Sequence, residues 1–203
     1  MSTARIEKAV VSGVFSLDGQ DFDVDNNVWL VGDDDEVLVV DAPHDAAPIV
    51  EAIAGRKVSA IVLTHGHNDH ITAAVALREA TSAPIWFHPM DRMLWDVVHP
   101  DSAPDRDLTS GTRFTVAGTE LVTLHTPGHS PGSVCLHAPD LTTVFSGDTL
   151  FHGGPGATGR SFSDRPTIEH SIRSELFTLH GDTVVRTGHG DDTTIAAELR
   201  NLG

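Results

Sequence analysis

The sequence predicts an α/β protein of αββα type, two mixed β-sheets packed face to face with helices on their outer faces. Three observations predict it. Twice along the chain, short strands rich in β-branched residues give way to helix. The run VSAIVLT (58–64) is almost continuously apolar, the mark of a strand covered on both faces. The 203 residues, 39% hydrophobic and 21% charged, suffice for the core of one compact domain, expected over residues 1–203.

In chain order, AVVSGVF (9–15), NNVWLV (26–31) and EVLVVD (36–41) read as strands parted by polar turns. GDDDE (32–36) reads as a hairpin connection whose acids are solvated. AAPIVEAIAG (46–55) reads as a helix stopped at Gly55, then VSAIVLT as the buried strand. DHITAAVALREA (69–80) is the next expected helix and APIWFH (83–88) the next strand, a β-α-β alternation. TRFTVAG, TELVTLH, SVCLHA and TTVFSGD (112–148) return to strands. Pro166 suits the first turn of a helix, and Ile168, Ile172, Leu176 and Leu179 then form one apolar stripe that Gly181 ends. TVVRTGHG (183–190) is the final strand and loop. Residues 152–166, rich in Gly, Pro and Ser, are the expected mobile loop.

Charge and composition narrow the function. Asp and Glu number 29 against 13 Lys and Arg, a formal net charge of -16, which argues against nucleic acid because a polyanion needs a basic face. No stretch approaches the roughly 18 apolar residues that span a bilayer. MSTARIEKAV has no apolar run after a basic start, and Cys135, the single cysteine, cannot form an intrachain disulfide. A cytoplasmic protein is the expectation. Mid-strand, with no paired base, Cys135 reads as a buried, inert thiol.

The chain has 13 histidines and no tyrosine, and the positions of five histidines carry the chemistry. THGHNDH (64–70) places His65, His67 and His70 beside Asp69, immediately after the buried strand. His129 in HTPGHSPGS, Asp148 in FSGDTL and His189 in RTGHG each follow a later strand. Every candidate ligand therefore lies in a loop at the C-terminal end of a strand, where open α/β sheets gather ligands. Gly66, Gly128, Gly147, Gly188 and Gly190 stand beside them and are expected to let the backbone turn sharply. At 100° per residue no single helix face collects 65, 67, 69 and 70, but a turn leading into a helix can. Six or seven nitrogen and oxygen donors without thiolate exceed the four ligands of one tetrahedral zinc. Two divalent metal ions are the economical count, zinc first, with iron or manganese also suited to the donors. His44, His88, His99, His125, His137, His170 and His180 read as ordinary histidines with no ligand role.

HxHxDH, followed by a loop histidine, a GD aspartate and a late GH histidine, resembles the metallo-β-lactamase-fold hydrolases over nearly the whole chain. The resemblance implies one metal on His65, His67 and His129, a second on Asp69, His70 and His189, and Asp148 between them. It also implies that Asp41, closing VLVVD, braces a ligand from behind. Within that superfamily DTLFHGGPGATGR (148–160), TPGHSPGSVCL and TGHGDDTT resemble glyoxalase II, the hydroxyacylglutathione hydrolases, in their short bacterial form. Only 14 residues follow His189, so no C-terminal helical domain is expected. The missing tyrosines and the extra Gly-Pro-Gly element (154–156) leave the carrier thiol open among glutathione, mycothiol, bacillithiol and others.

The resemblance thus implies thioester hydrolysis on a small-molecule substrate, with no nucleic-acid or membrane partner and an open oligomeric state. A metal-bridging hydroxide is the expected nucleophile, oriented by the catalytic Asp69. Arg160 is the candidate contact for a substrate carboxylate or carrier, and His152 a candidate pocket residue. The alternatives are a persulfide dioxygenase of the same fold, with one iron on His65, His129 and Asp148, and a lactonase or other ester hydrolase.

Overall fold

A computed structural model describes residues 4–202; the first three residues of MSTARIEKAV and Gly203 lie outside the described residues. The first sheet comprises β1 (Arg5–Leu17), β2 (Gln20–Gly32), β3 (Glu36–Val40), β4 (Lys57–Val62), β5 (Ile85–Phe87) and β6 (Arg106–Asp107), in that spatial order. β1, β2 and β3 pair antiparallel, and β3 to β6 pair parallel. The second half of the chain supplies β7 (Arg113–Val116), β8 (Thr119–His125), β9 (Val134–Ala138) and β10 (Thr143–Gly147). A small hairpin, β11 (Leu150–Phe151) and β12 (Gly154–Pro155), follows, then β13 (Val184–Thr187) and β14 (Thr193–Thr194). The second sheet runs β14-β13-β10-β9-β8-β7, antiparallel except for the β10–β13 pair.

Alternation along the strands builds the layers. On β2, Trp29 and Val31 face one way and Val28 and Leu30 the other; on β3, Leu38 and Val40 oppose Val37 and Val39. Trp29, Val31, Leu38 and Val40 meet Phe114, Leu121, Val134, Leu136 and Phe145 of the second sheet in the central core. The opposite face of the first sheet packs Ile49 and Ile53 of α1 (Ala46–Ile53), Ile71 of α2 (Asn68–Ile71), Leu77 of α3 (Ala74–Thr81) and Trp95 of α4 (Arg92–Val98). The outer face of the second sheet, with Cys135, Val144 and Val185, is covered by Ile168 of α5 (Arg165–Ser171), by Ile172 and Leu176 of its π-helical continuation, and by Ile195 of α6 (Ile195–Leu202). This is the predicted αββα arrangement. No helix among the described residues is long and apolar enough to cross a membrane.

Several elements depart from the expectation. The helix expected over 69–80 is two helices, because the chain between them bonds sideways: Ala42 N–H donates to His70 O and Ala73 N–H to Ala42 O, both at 2.9 Å. β1 and β2 are each 13 residues long, far longer than predicted, and turn through Asp18-Gly19, with both residues at positive φ. Asp-Gly is a strong two-residue hairpin signal, and the hairpin is absent from the expected elements, as are α4 and α6. The expected loop over 152–166 contains the turn and second strand of the β11–β12 hairpin and is tied down: Gly153 N–H donates to buried Glu198 of α6, and Asp164 N–H to Gly128 O. Ile168, Ile172 and Leu176 are buried as the stripe required, but Leu179, beyond the π turn, is only partly so.

Candidate metal centre

The parallel strands β3 and β4 end side by side, and their ends carry the centre. Beyond β4 the chain runs through Thr64 to His67, which caps α2, so Asp69 and His70 lie in the first helical turn. The loops after β8, β10 and β13 bring His129, Asp148 and His189 to the same place. Gly147, at φ 48, makes the sharp turn expected of it. Gly188 serves differently: a Cβ there would come within 2.3 Å of Asp148 Oδ1, so close approach is what requires glycine.

All seven predicted ligands converge. His65, His67 and His129 form one group of donor atoms, Asp69, His70 and His189 a second, and His65, His70 and Asp148 a third that overlaps both. His67 Nδ1 lies 3.0 Å from His65 Nε2 and 2.9 Å from His129 Nε2. His70 Nε2 lies 3.2 Å from His189 Nε2, and Asp69 Oδ2 lies 3.3 Å from His189 Nε2. Asp148 reaches both sides, with Oδ2 3.5 Å from His129 Nε2 and Oδ1 3.3 Å from His70 Nε2.

The ring nitrogens that face away from the cluster set the tautomers. His70 Nδ1–H donates to Asp41 Oδ2 (2.8 Å), His129 Nδ1–H to Ala157 O (2.9 Å) and His189 Nδ1–H to Asp25 O (2.8 Å). Thr64 donates both its N–H and its hydroxyl to Asp41, so its oxygen is left to accept from His65 Nδ1–H at 3.1 Å. Four rings thus turn Nε2 towards the centre. His67 points the other way, with Nδ1 inward and Nε2 buried without a partner.

Charge divides the cluster. Burial, with His70 and His67 beside it, holds His65 well below the usual imidazole range, and burial with His129 holds His67 at about 3. For His189, burial opposes protonation but Asp148 and Asp69 outweigh it and push the ring up to about 10. His70 is raised against burial by Asp148, Asp69 and Asp41. Burial would likewise raise Asp69, yet His70 and the His189 contact bring it down to about 2.

The residues fit divalent metal ions. Asp69 Oδ1 and Asp148 Oδ1 are buried with no hydrogen-bond donor, and imidazole nitrogens crowd together at about 3 Å. Buried acceptors without donors are costly unless a cation joins them. Nitrogen and oxygen donors without sulfur suit zinc, iron or manganese.

A cavity of about 350 Å³ opens on the cluster, walled by Phe15, Val24 and Ala157, with Asp25 at its edge. Phe15 and Val24 of this wall belong to the β1–β2 hairpin. It is pinned by Asn68, whose side chain accepts from Ser16 N–H and donates to Val14 O. Arg160 is not brought to the metal cluster. Its guanidinium stacks on Phe22 at 4.8 Å and donates to Gln20 on the hairpin. His152 is exposed in the β11–β12 turn and also stands apart.

Three residues around the centre were not singled out from sequence. Asp91, fully buried, accepts from Gly66 N–H (2.8 Å), Gly132 N–H (2.5 Å) and Ser130 Oγ (2.6 Å), clamping the loops of His65 and His129 together. Asn26 and His44 stand behind Asp69. A lone Asp after a short strand, and Asn in a strand, carry no spacing signal. Cys135 is fully buried and its thiol is pushed up to about 11 by burial, as expected of an inert cysteine.

The comparisons with known proteins follow the same lines. The family model of the metallo-beta-lactamase superfamily matches residues 22–189. The chain is similar to the probable metallo-hydrolase YqgX of Bacillus subtilis, 32% identical over 186 residues that cover 85% of this chain and 88% of that protein. It is also similar to the hydroxyacylglutathione hydrolase GloC of Haemophilus influenzae, 31% identical over 192 residues, 86% of this chain and 90% of that one. Among solved structures, the B3 metallo-beta-lactamase BLEG-1 aligns with a TM-score of 0.79 at 28% identity, over 94% of this chain and 97% of its own. TTHA1623, solved in a di-iron-bound form, aligns at 0.77 and 31% identity, over 88% and 94%. A match that runs from the β1–β2 hairpin to the last converging histidine, on sheets stacked as in those neighbours, means that this chain belongs to the metallo-beta-lactamase superfamily.

Proposed function

We propose that the protein is a binuclear metal-dependent hydrolase of small-molecule thioesters, similar in activity to glyoxalase II. The observation that carries the reading is the pair of donor groups with Asp148 in reach of both, each outward Nδ1 of four rings already committed. Likeness to a hydroxyacylglutathione hydrolase over most of both chains supports the thioester. Two divalent ions, zinc by preference and iron or manganese otherwise, would lower the pKa of a shared water and polarise the substrate carbonyl.

The chain's own residues do the rest. His65, His67 and His129 would hold one ion, and Asp69, His70 and His189 the other, with Asp148 between them and Asp41 bracing His70. Asp69 Oδ1, buried and without a donor, would accept a hydrogen bond from the attacking water and orient it. Phe15, Val24 and Ala157 would exclude bulk solvent from the acyl group. A thiolate of pKa near about 8.5 leaves without a dedicated acid. Arg160 and His152, on loops outside the cluster, would meet only the carrier end of the substrate. Arg160→Ala should therefore raise KM more than it lowers kcat. A cytoplasmic location accompanies this reading, on the strength of a single, buried thiol.

The test is elemental analysis of protein purified without added metal, followed by a panel of thioesters that differ in carrier thiol. About two metals per chain with thioester turnover supports the reading. One iron per chain with oxygen uptake on a persulfide would replace it with the dioxygenase, and turnover on lactones or β-lactams alone with another hydrolase.

A further inference from the structure

We infer that Asn26 and His44 are positioning residues for Asp69: His44 fixes the amide of Asn26 so that its NH2 donates to the Asp69 carboxylate. This rests on the binuclear reading and adds two residues to it. Asn26, on β2, is fully buried. A buried primary amide needs partners for both ends. Its Nδ2 lies 3.1 Å from Asp69 Oδ2, with His70 Nε2 and His189 Nε2 further off at 3.3 and 3.4 Å. Its Oδ1 lies 2.8 Å from His44 Nε2. Oxygen and nitrogen of an amide can exchange places, so a partner must settle which faces Asp69. His44 Nε2–H donating to Oδ1 settles it and turns both amide hydrogens towards the acceptors.

The fold makes room for this arrangement at some cost. His44 has φ 50, in the left-handed region that a histidine rarely adopts. Its ring lies against Gly13, where a Cβ would come within 2.3 Å of ring atoms. A glycine inside a strand weakens it, and here the missing side chain admits His44. With the ring seated against Gly13, His44 Nε2 reaches Asn26 Oδ1.

The consequence is specific to one metal position. Without the amide, Asp69 loses a donor and a fixed orientation, and the group Asp69, His70, His189 should bind metal more weakly. Asn26's side-chain hydrogen-bond partners are Asp69, His70, His189 and His44, so the group His65, His67, His129 should be spared. The test is titration of metal-free protein with Co2+, followed by visible absorption and by equilibrium dialysis. Wild type should take two Co2+. In Asn26→Ala the second should bind about 10- to 100-fold more weakly while the first is unchanged. His44→Ala should show the same loss in smaller measure. In His44→Gln, whose amide can donate to Asn26 Oδ1, most of the affinity should return. That rescue, and the sparing of the first position, are not effects of loosened packing.

Equal affinity for the second Co2+ in wild type, Asn26→Ala and His44→Ala overturns the inference. So does tighter binding in Asn26→Asp, which would make residue 26 a ligand through oxygen. Should Asn26→Ala fail to fold, the half-buried His44 variants decide alone. A wild-type chain that saturates at one Co2+ overturns the binuclear reading and this inference with it, an outcome distinct from two equal sites in every variant.

Discussion

The group His65, His67 and His129 and the group Asp69, His70 and His189 share one cavity but are held in different ways. The first is all imidazole. Burial keeps His65 and His67 uncharged, and behind them Asp91 grips loop backbone, through Gly66 and Gly132 N–H and Ser130 Oγ. The second contains a carboxylate, its histidines are pulled towards protonation by Asp148 and Asp69, and its supports grip side chains: Asp41 on His70, Asn26 on Asp69. Rings of both groups are held through Nδ1, but the first group adds a clamp on its loops and the second adds a hydrogen bond to its carboxylate ligand. Damage to the first should appear as lost stability, and damage to the second as lost chemistry.

The largest expected effect lies in the second group. Asp69→Ala should lower thioester turnover about 100-fold or more, the scale seen when one preorganised polar group is removed, while at least one metal stays bound. Steady-state kinetics with metal analysis on the same sample check this, and unchanged turnover would remove Asp69 from the mechanism. Next comes Asp91→Ala, which strands three buried donors and should cost about 3 kcal/mol. For a chain of this length that is a fall in Tm of roughly 10 °C. A shift under 2 or 3 °C by calorimetry would mean that the loops hold themselves.

A smaller effect is acid sensitivity on the first side. His88 accepts from Met90 N–H with Nδ1 and so caps the turn Pro89–Asp91 that carries Asp91. Burial, with the stacked His125, brings His88 down to about 4. The folded state therefore resists a proton that the unfolded chain takes up near about pH 6.5. Stability should fall as pH drops from about 6.5 towards 4, and His88→Asn, which retains an acceptor for Met90, should flatten that slope in urea melts. The smallest effect belongs outside both groups. Cys135, raised to about 11, should not react with a thiol reagent at pH 8 until the protein unfolds. Rapid labelling of the native chain would show that the outer layer over β9 opens readily.

Much of this was legible in the sequence because it is local. The β-branched runs of NNVWLV and EVLVVD and the apolar run VSAIVLT are properties of neighbouring residues, and the last of them predicted a strand covered on both faces. The seven ligands were legible for a related reason: each sits in a loop or turn that follows a strand, and five of them flank a glycine. Long-range contacts were not legible. Asp91 is 25 residues from Gly66 and 41 from Gly132, and nothing about a lone aspartate announces those partners. His44 was set aside as an ordinary histidine, because only the approach of Gly13 and Asn26, on neighbouring strands, gives its ring a task. Arg160 was expected to contact a substrate carboxylate or carrier, and no spacing announced that its side chain would also lie on the hairpin, against Gln20 140 residues earlier.

The sequence by itself determined most of the strands, the helix α1 and the apolar stripe of α5, the stacking of two sheets and the identity of the seven converging donors, since each follows from pattern and residue chemistry over short spans. The tertiary structure alone decided which nitrogen each histidine turns inward, which carboxylates lie unpaired, and which buried side chains stand behind the ligands. Those are matters of a few tenths of an ångström between segments far apart in the chain, and they exist only once the strands have paired and the loops have closed.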